Sequence, residues 1–218
     1  MKVAAKLTAL GLTAAMMLSM TSCAFLGGSK IGINKVMNYA NDEGAEIYDD
    51  AKKYSKLDRD DAEDGIAIQL EGKDIKKVFS ADNFCILPVL DDFYSNGMTQ
   101  AACYQKVKDN TNGGNAIYVF SVVFEEEDDA EDYFDDIHDG IQPNGTIEAD
   151  NDDGEEDGIG YTVMNVQDET SGNSAAVGAY RDGNTVLVII SYGYQSNKTL
   201  KIADEVCDYF GVHQISDT

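Results

Sequence analysis

The sequence predicts an α+β domain, an antiparallel β-sheet with packed helices, and three observations lead to this class. The stretches 116–124 and 185–194 are almost wholly apolar and rich in β-branched and aromatic residues, as in central strands that are covered on both faces. Apolar residues recur at helical spacing in 33–57, 126–141 and 198–210. From about residue 101 the predicted order is β-β-α-β-β-β-α, and an N-terminal amphipathic helix precedes it.

The first part of the domain is predicted to hold one long helix and one short strand. Residues 33–57 place an apolar stripe opposite Asp, Glu and Lys, so we expect an amphipathic helix that packs on the domain. A charged loop over 58–64 leads to a short strand at 66–70. The stretch 72–95 suits a helical turn or two, followed by strand or extended chain before Pro88.

Two strands and an acidic helix are predicted next. Residues 102–107 and 116–124 form strands on either side of a cluster of turn-forming residues at 110–115. The helix covers 126–141, and Gly140 is placed to end it.

Beyond that helix, the chain is predicted to be a loop, three strands and a final helix. Asp182-Gly183 at the centre of one strand connection favours a type I′ turn, because both central positions of that turn need φ > 0. Ser196 or Asn197 can cap the final helix. The predicted elements are an acidic surface loop at 143–158, strands at 159–167, 175–180 and 185–194, and a helix at 198–210 that Gly211 ends.

The first 22 residues have the layout of a secretory signal. Lys2 and Lys6 supply positive charge, residues 7–20 carry none, and Thr21-Ser22 provides small residues before Cys23. An apolar segment of 14 residues is too short to cross a hydrocarbon core of about 30 Å as a helix. We therefore expect 1–22 to be a signal peptide that is removed.

The run Met20-Thr21-Ser22-Cys23 resembles the lipobox of bacterial lipoproteins, although that family usually has Leu where this chain has Met20. The resemblance implies that Cys23 becomes the first mature residue and carries a diacylglyceryl anchor on the extracytoplasmic face of the cell membrane. The run 24–32, A-F-L-G-G-S-K-I-G, is expected to be a short flexible tether, so 23–32 holds the lipidated Cys and the tether, and a single domain follows over 33–218. In element order alone, the domain is similar to the PsbP-like and LpqN-like domains of secreted lipoproteins.

The charge balance limits the classes of partner. A formal net charge of −24 argues against nucleic acid, because phosphates must be neutralised by Lys and Arg. It also argues against adhesion of the polypeptide itself to an anionic bilayer, so the lipid on Cys23 is the expected contact with the membrane. The other partner is an unknown protein or small molecule.

Three cysteines remain after Cys23, so at most one disulfide can form within the chain. A bond between Cys85 and Cys103 is conceivable in an exported protein. The preferred interpretation is that Cys85, Cys103 and Cys207 are small buried apolar residues.

The acidic stretch 125–157 holds 17 Asp or Glu among 33 residues, and no Lys or Arg lies between Lys108 and Arg181. A loop rich in carboxylates can fold around Ca²⁺, which takes six to eight oxygen ligands. An EF-hand is excluded, because the required positions hold Ala149 and Gly160. The alternative is a solvated acidic loop that collects counterions without a defined site. The candidate ligands are Asp150, Asp152, Asp153 and Glu155.

No catalytic motif is present in the sequence. There is no Gly-x-Ser-x-Gly, no Walker loop and no zinc motif, and the only histidines are His138 and His213. The first hypothesis is a non-catalytic lipoprotein that binds another protein or a small ligand. The alternatives are an envelope or extracellular hydrolase that uses unidentified Asp or Glu residues, and the solute-binding component of a transporter.

Overall fold

A computed structural model describes residues 29–57, 59–81, 93–108, 115–141, 149–167, 172–194 and 196–218. The helices within these ranges are α1 Ile33–Asp42, α2 Ala51–Tyr54, α3 Lys73–Phe79, α4 Glu127–Gly140 and α5 Ser196–Phe210. The strands are β1 Glu46–Tyr48, β2 Ile66–Glu71, β3 Met98–Lys108, β4 Asn115–Phe124, β5 Ala149–Glu156, β6 Ile159–Gln167, β7 Ser174–Asp182 and β8 Thr185–Gly193. Short 3₁₀ turns lie at Arg59–Ala62 and Ile215–Asp217.

All eight strands form one sheet in the order β1-β2-β3-β4-β8-β7-β6-β5. Only β1 and β2 pair in parallel, and the other pairs are antiparallel. A parallel pair needs a long crossover, and the chain supplies it between Tyr48 and Ile66 with α2 and the first 3₁₀ turn. The predicted α+β class with a mostly antiparallel sheet is confirmed.

The sheet is covered by helices on both faces. The first face packs against α2, α3 and α4, and its core includes the edge-to-face aromatic pairs of Phe79 and Phe93 with Phe120 at 5.5 and 5.7 Å. The second face packs against α1 and α5, around Tyr104, Tyr180 and other buried residues. The prediction that 116–124 and 185–194 form central strands is confirmed, because β4 and β8 are neighbours in the middle of the sheet.

The helix predicted over 33–57 is three elements in the structure. Helix α1 ends at Asp42, and Gly44 follows with φ +73°, a left-handed conformation that ends helices. The backbone N–H of Ala45 then donates to the carbonyl of Ala40, which satisfies a helix-end acceptor. Strand β1 comes next, and the Asp50 side chain caps α2. The apolar period continued past Gly44 because Tyr48 of β1 packs against the first-face core and α2 buries Ala51 and Tyr54.

The acidic segment 143–158 is not a loop along its whole length, which corrects the prediction. Residues 149–156 form β5, the edge strand, and its register pairs Glu156 with Ile159 on β6. Asp157-Gly158 joins the two strands with φ values of 53° and 80°, the positive pair that a type I′ turn requires. This edge strand consists of Ala, Gly and polar residues and is mostly exposed, so it shows no apolar alternation and the sequence pattern missed it.

The hairpin of β7 and β8 is confirmed, but its turn differs from the predicted type. Asp182 pairs with Thr185, so Gly183 and Asn184 are the central residues of the turn. Gly183 has φ +58°, whereas Asn184 is not among the described residues with positive φ. One positive φ at the first central position is the pattern of a type II′ turn.

Candidate functional site

The four candidate metal ligands lie on β5 and point in two directions. Successive side chains of a strand alternate between faces, and Asp152 pairs with Val163, whose side chain is in the second-face core. Asp150 and Asp152 therefore share the second face, and Asp153 and Glu155 share the first. A site for one ion would have to draw on one pair or the other. Within the described ranges, no group of three or more His, Cys, Asp or Glu is arranged to hold a metal ion.

The second face of β5 and β6 is covered by the C-terminal segment that follows α5. The Tyr180 hydroxyl donates to the carbonyl of His213 at 2.8 Å. One carboxylate oxygen of Asp204 accepts from the backbone N–H groups of Ile215 and Ser216, at 3.1 and 3.2 Å. The Tyr180 bond ties the backbone of His213 to β7, and the Asp204 bonds tie the residues after it back to α5.

The His213 imidazole lies between an aromatic ring and two carboxylates. It stacks on Tyr161 with ring centroids 4.0 Å apart and an interplanar angle of 10°. Its Nδ1 is 3.0 Å from Glu156 Oε2, and its Nε2 is 3.6 Å from Asp152 Oδ2. The Tyr161 hydroxyl donates to the same Asp152 oxygen at 3.1 Å. We call His213, Tyr161, Asp152 and Glu156 the His213 cluster.

Gly154 is what allows Tyr161 to lie across β5. A Cβ built on Gly154 would be 2.9 Å from the Tyr161 hydroxyl oxygen, too close for two non-bonded atoms. Desolvation raises the pKa of Tyr161, and its hydrogen bond to Asp152 and the nearby carboxylates raise that pKa further. The phenol is therefore a neutral donor that orients the Asp152 carboxylate.

Cavities lie beside the His213 cluster and on the same side of the sheet between helices. The first, of about 130 Å³, is lined by three members of the His213 cluster, His213, Tyr161 and Glu156, together with Asp157, Ile159 and Val212. The second, of about 90 Å³, lies between α1 and α5, beside the ion pair of Lys106 Nζ with Glu43 Oε2 at 3.2 Å. Both are much smaller than the roughly 300–1,000 Å³ of sites that enclose a small organic ligand.

The other histidine is placed apart from these residues. His138 lies near the C-terminal end of α4, and its Nδ1 is 3.0 Å from the hydroxyl of Thr162. The described contacts thus pair one histidine with a threonine and the other with two carboxylates.

The two cysteines that the structure describes are buried free thiols, as the preferred sequence interpretation predicts. Cys103 and Cys207 are free and buried. Desolvation raises the pKa of the Cys207 thiol to about 12, and burial also raises that of Cys103 well above 9.0. Cys23 and Cys85 lie outside the described residues, as does the signal peptide. No helix of the described ranges is long and apolar enough to cross a membrane.

Comparisons with known proteins identify no family. The chain matches no protein-family model and no curated protein. One solved structure with partial similarity is the extracellular domain of PknH from Mycobacterium tuberculosis. The two have a TM-score of 0.37 and 16% sequence identity, over 57% of this chain and 69% of that one.

Sequence analysis missed the role of His213 and Tyr161. The two residues are 52 positions apart in the chain, and no motif spacing connects them with Asp152. The available signal was the Asp157-Gly158 dipeptide, which would have predicted a β5–β6 hairpin and placed Asp152 and Tyr161 on neighbouring strands.

Proposed function

We propose that this protein is a lipid-anchored, non-catalytic interaction domain on the extracytoplasmic face of the cell membrane, and that it recognises a partner through its outer surface. The observation that supports this best is the closed α/β/α packing. Both faces of the sheet are covered by helices, and the two cavities described measure about 130 and 90 Å³. A partner would therefore meet exposed side chains, and the envelope hydrolase and solute-binding alternatives would each need a larger concave site.

The anchoring half of the proposal is carried by the signal sequence and Cys23. Ile31 is buried in the second-face core, so only about eight residues separate Cys23 from the folded domain. At about 3.3–3.6 Å per residue, that tether holds Ile31 within roughly 30 Å of the bilayer. A diacylated cysteine supplies the two chains that stable anchoring needs.

Anchoring is tested by intact-mass analysis and by fractionation. Protein extracted from membranes should begin at Cys23 and carry a diacylglyceryl adduct, and Cys23→Ala should appear in the medium. The control is Cys207→Ala, which removes a buried thiol and should leave the protein in the membrane fraction. An unmodified Cys23 in a chain that keeps residues 1–22 would contradict the proposal.

Recognition through the surface is tested by photo-crosslinking in intact cells. A photoreactive residue at Ile47 or Tyr194, which are 44% and 47% exposed, changes the surface without opening the core. We expect a discrete adduct from at least one exposed position, and its loss when Cys23→Ala releases the protein. A saturable rise of melting temperature with a small solute, with no adduct from any position, would favour the solute-binding alternative.

A further inference from the structure

The His213 cluster has an electrostatic feature that hydrogen bonding within the cluster does not resolve. Glu156 presents a carboxylate, which only accepts, so the Nδ1 at 3.0 Å from it carries the ring proton. In the neutral imidazole, Nε2 then carries a lone pair and faces Asp152 Oδ2 at 3.6 Å. Nε2 is buried and has no hydrogen-bond partner among the described atoms. In this form the two electron-rich atoms repel each other unless a cation lies between them, either a proton on Nε2 or a metal ion.

The separation of the two atoms suits a metal ion better than a hydrogen bond. A distance of 3.6 Å exceeds the range of N–H···O bonds, which is about 2.7–3.2 Å. For Zn²⁺, with ligand bonds of about 2.0–2.2 Å, tetrahedral geometry puts two ligand atoms about 3.4 Å apart. A small adjustment of the half-exposed Asp152 side chain is enough to close that difference.

The surroundings of the two atoms resemble the outer shell of metal sites. A metal-bound histidine usually donates its other N–H to a carboxylate, which fixes the tautomer and the ring orientation, and Glu156 is placed to do this. The Tyr161 hydroxyl holds Asp152 from the side, at 3.1 Å. A cavity of about 130 Å³ lies beside His213, Tyr161 and Glu156, and it has room for water that could complete the coordination.

We propose that His213 Nε2 and Asp152 Oδ2 bind a divalent transition metal ion of the Zn²⁺ class, with Glu156 and Tyr161 as supporting residues. Imidazole nitrogen favours Zn²⁺, Ni²⁺ and Cu²⁺, whereas Ca²⁺ takes oxygen ligands, so the site discriminates against Ca²⁺. Only two protein side chains are ligands, and water supplies the rest. The ion ties the C-terminal segment to the edge strand β5.

The test is a melting curve of the full chain, extracted in detergent, with micromolar Zn²⁺ present or absent. An excess of Mg²⁺ and about 1 M NaCl, where the Debye length is about 3 Å, suppress general binding to the acidic surface. We expect Zn²⁺ to raise the melting temperature by at least about 3 °C, reversibly with a chelator, and Ca²⁺ to have no such effect. The wild-type rise should be lost in Asp152→Asn and in His213→Gln.

Matched controls come from the same strand and the same residue type. Asp153→Asn changes the charge by the same amount one position along β5, on the opposite face, and should keep the Zn²⁺ response. His138→Gln removes the histidine that contacts Thr162 and should keep it too. An equal response in all four variants, or none in the wild-type chain, would overturn the proposal.

A second measurement covers the case in which His213→Gln does not fold. Long-range ¹H–¹⁵N correlation of the histidine side chains reports each ring nitrogen of the wild-type chain separately. Zn²⁺ should shift the Nε2 resonance of His213 and leave both His138 nitrogens unchanged. If acidification reproduces the full His213 change and Zn²⁺ adds none, the cation at this position is a proton and the metal assignment is wrong.

Discussion

Truncation of Ile190 tests the placement of the core. Ile190 is fully buried on β8, between Tyr118 of β4 and Val177 of β7, in the first-face core. Ile190→Ala removes three carbons, worth about 2.4 kcal/mol at roughly 0.8 kcal/mol per buried methylene-sized group. Incomplete collapse of the resulting cavity adds to this, so the free energy of unfolding should fall by about 2–4 kcal/mol.

The matched control is the same substitution at an exposed position. Ile47 is 44% exposed on the short edge strand β1, and Ile47→Ala should change the free energy of unfolding by less than about 0.5 kcal/mol. Both variants are measured by urea unfolding at one fixed salt concentration, with the slope against urea compared to that of the wild-type chain. A loss below about 0.5 kcal/mol for Ile190→Ala would refute the assignment of β8 to the core.

Three further predictions concern charge, ionisation and turn geometry. NaCl should screen the repulsion among the carboxylates of 125–157, so the melting temperature should rise with salt, and millimolar Ca²⁺ should add little in high salt. If micromolar Ca²⁺ raises the melting temperature in high salt, and Asp150→Asn with Asp152→Asn abolishes that rise, this prediction is wrong. The Cys207 thiol is protonated in the folded state up to a pKa of about 12, but ionises near 9.0 when unfolded, so its contribution to stability should be lost as pH rises from 9 to 12. Cys207→Ala should flatten that part of the pH profile of urea unfolding, and an unchanged slope would contradict the burial of the thiol. Gly158 has φ +80° in the β5–β6 turn, and a Cβ added there would meet no other atom. Gly158→Ala should therefore lower the free energy of unfolding by about 1 kcal/mol through backbone strain alone. The same change at Gly160, whose φ is not positive, should lower it by less.

Much of the sheet could be predicted because burial is written into local patterns. Strands β4 and β8 are buried on both faces, so their residues are apolar at nearly every position and resemble no other element. Helices α4 and α5 bury one side each, which leaves the helical period visible. The β7–β8 hairpin was predictable because its strands flank a short Gly-containing connection.

The turn types show where local rules stop. Asp-Gly occurs at both 157–158 and 182–183, but only the first forms the type I′ turn. In the second, the pairing of Asp182 with Thr185 moves the turn centre on by one residue, to Gly183-Asn184. Register is set by which side chains enter the two cores, and the dipeptide itself does not carry that information.

The fold class, the central strands and the acidic character of 125–157 could all be predicted from sequence, since each depends on residues close together in the chain. That 149–156 forms an edge strand became clear only from the folded structure, because a strand of Ala, Gly and polar residues carries no apolar alternation. The tertiary structure alone decided that Asp152 and Asp153 face opposite sides, and that His213 reaches Asp152 and Glu156 from a distant part of the chain. Such a cluster exists only after β5 pairs with β6 and the C-terminal segment packs on them, and this depends on contacts that local sequence patterns do not encode.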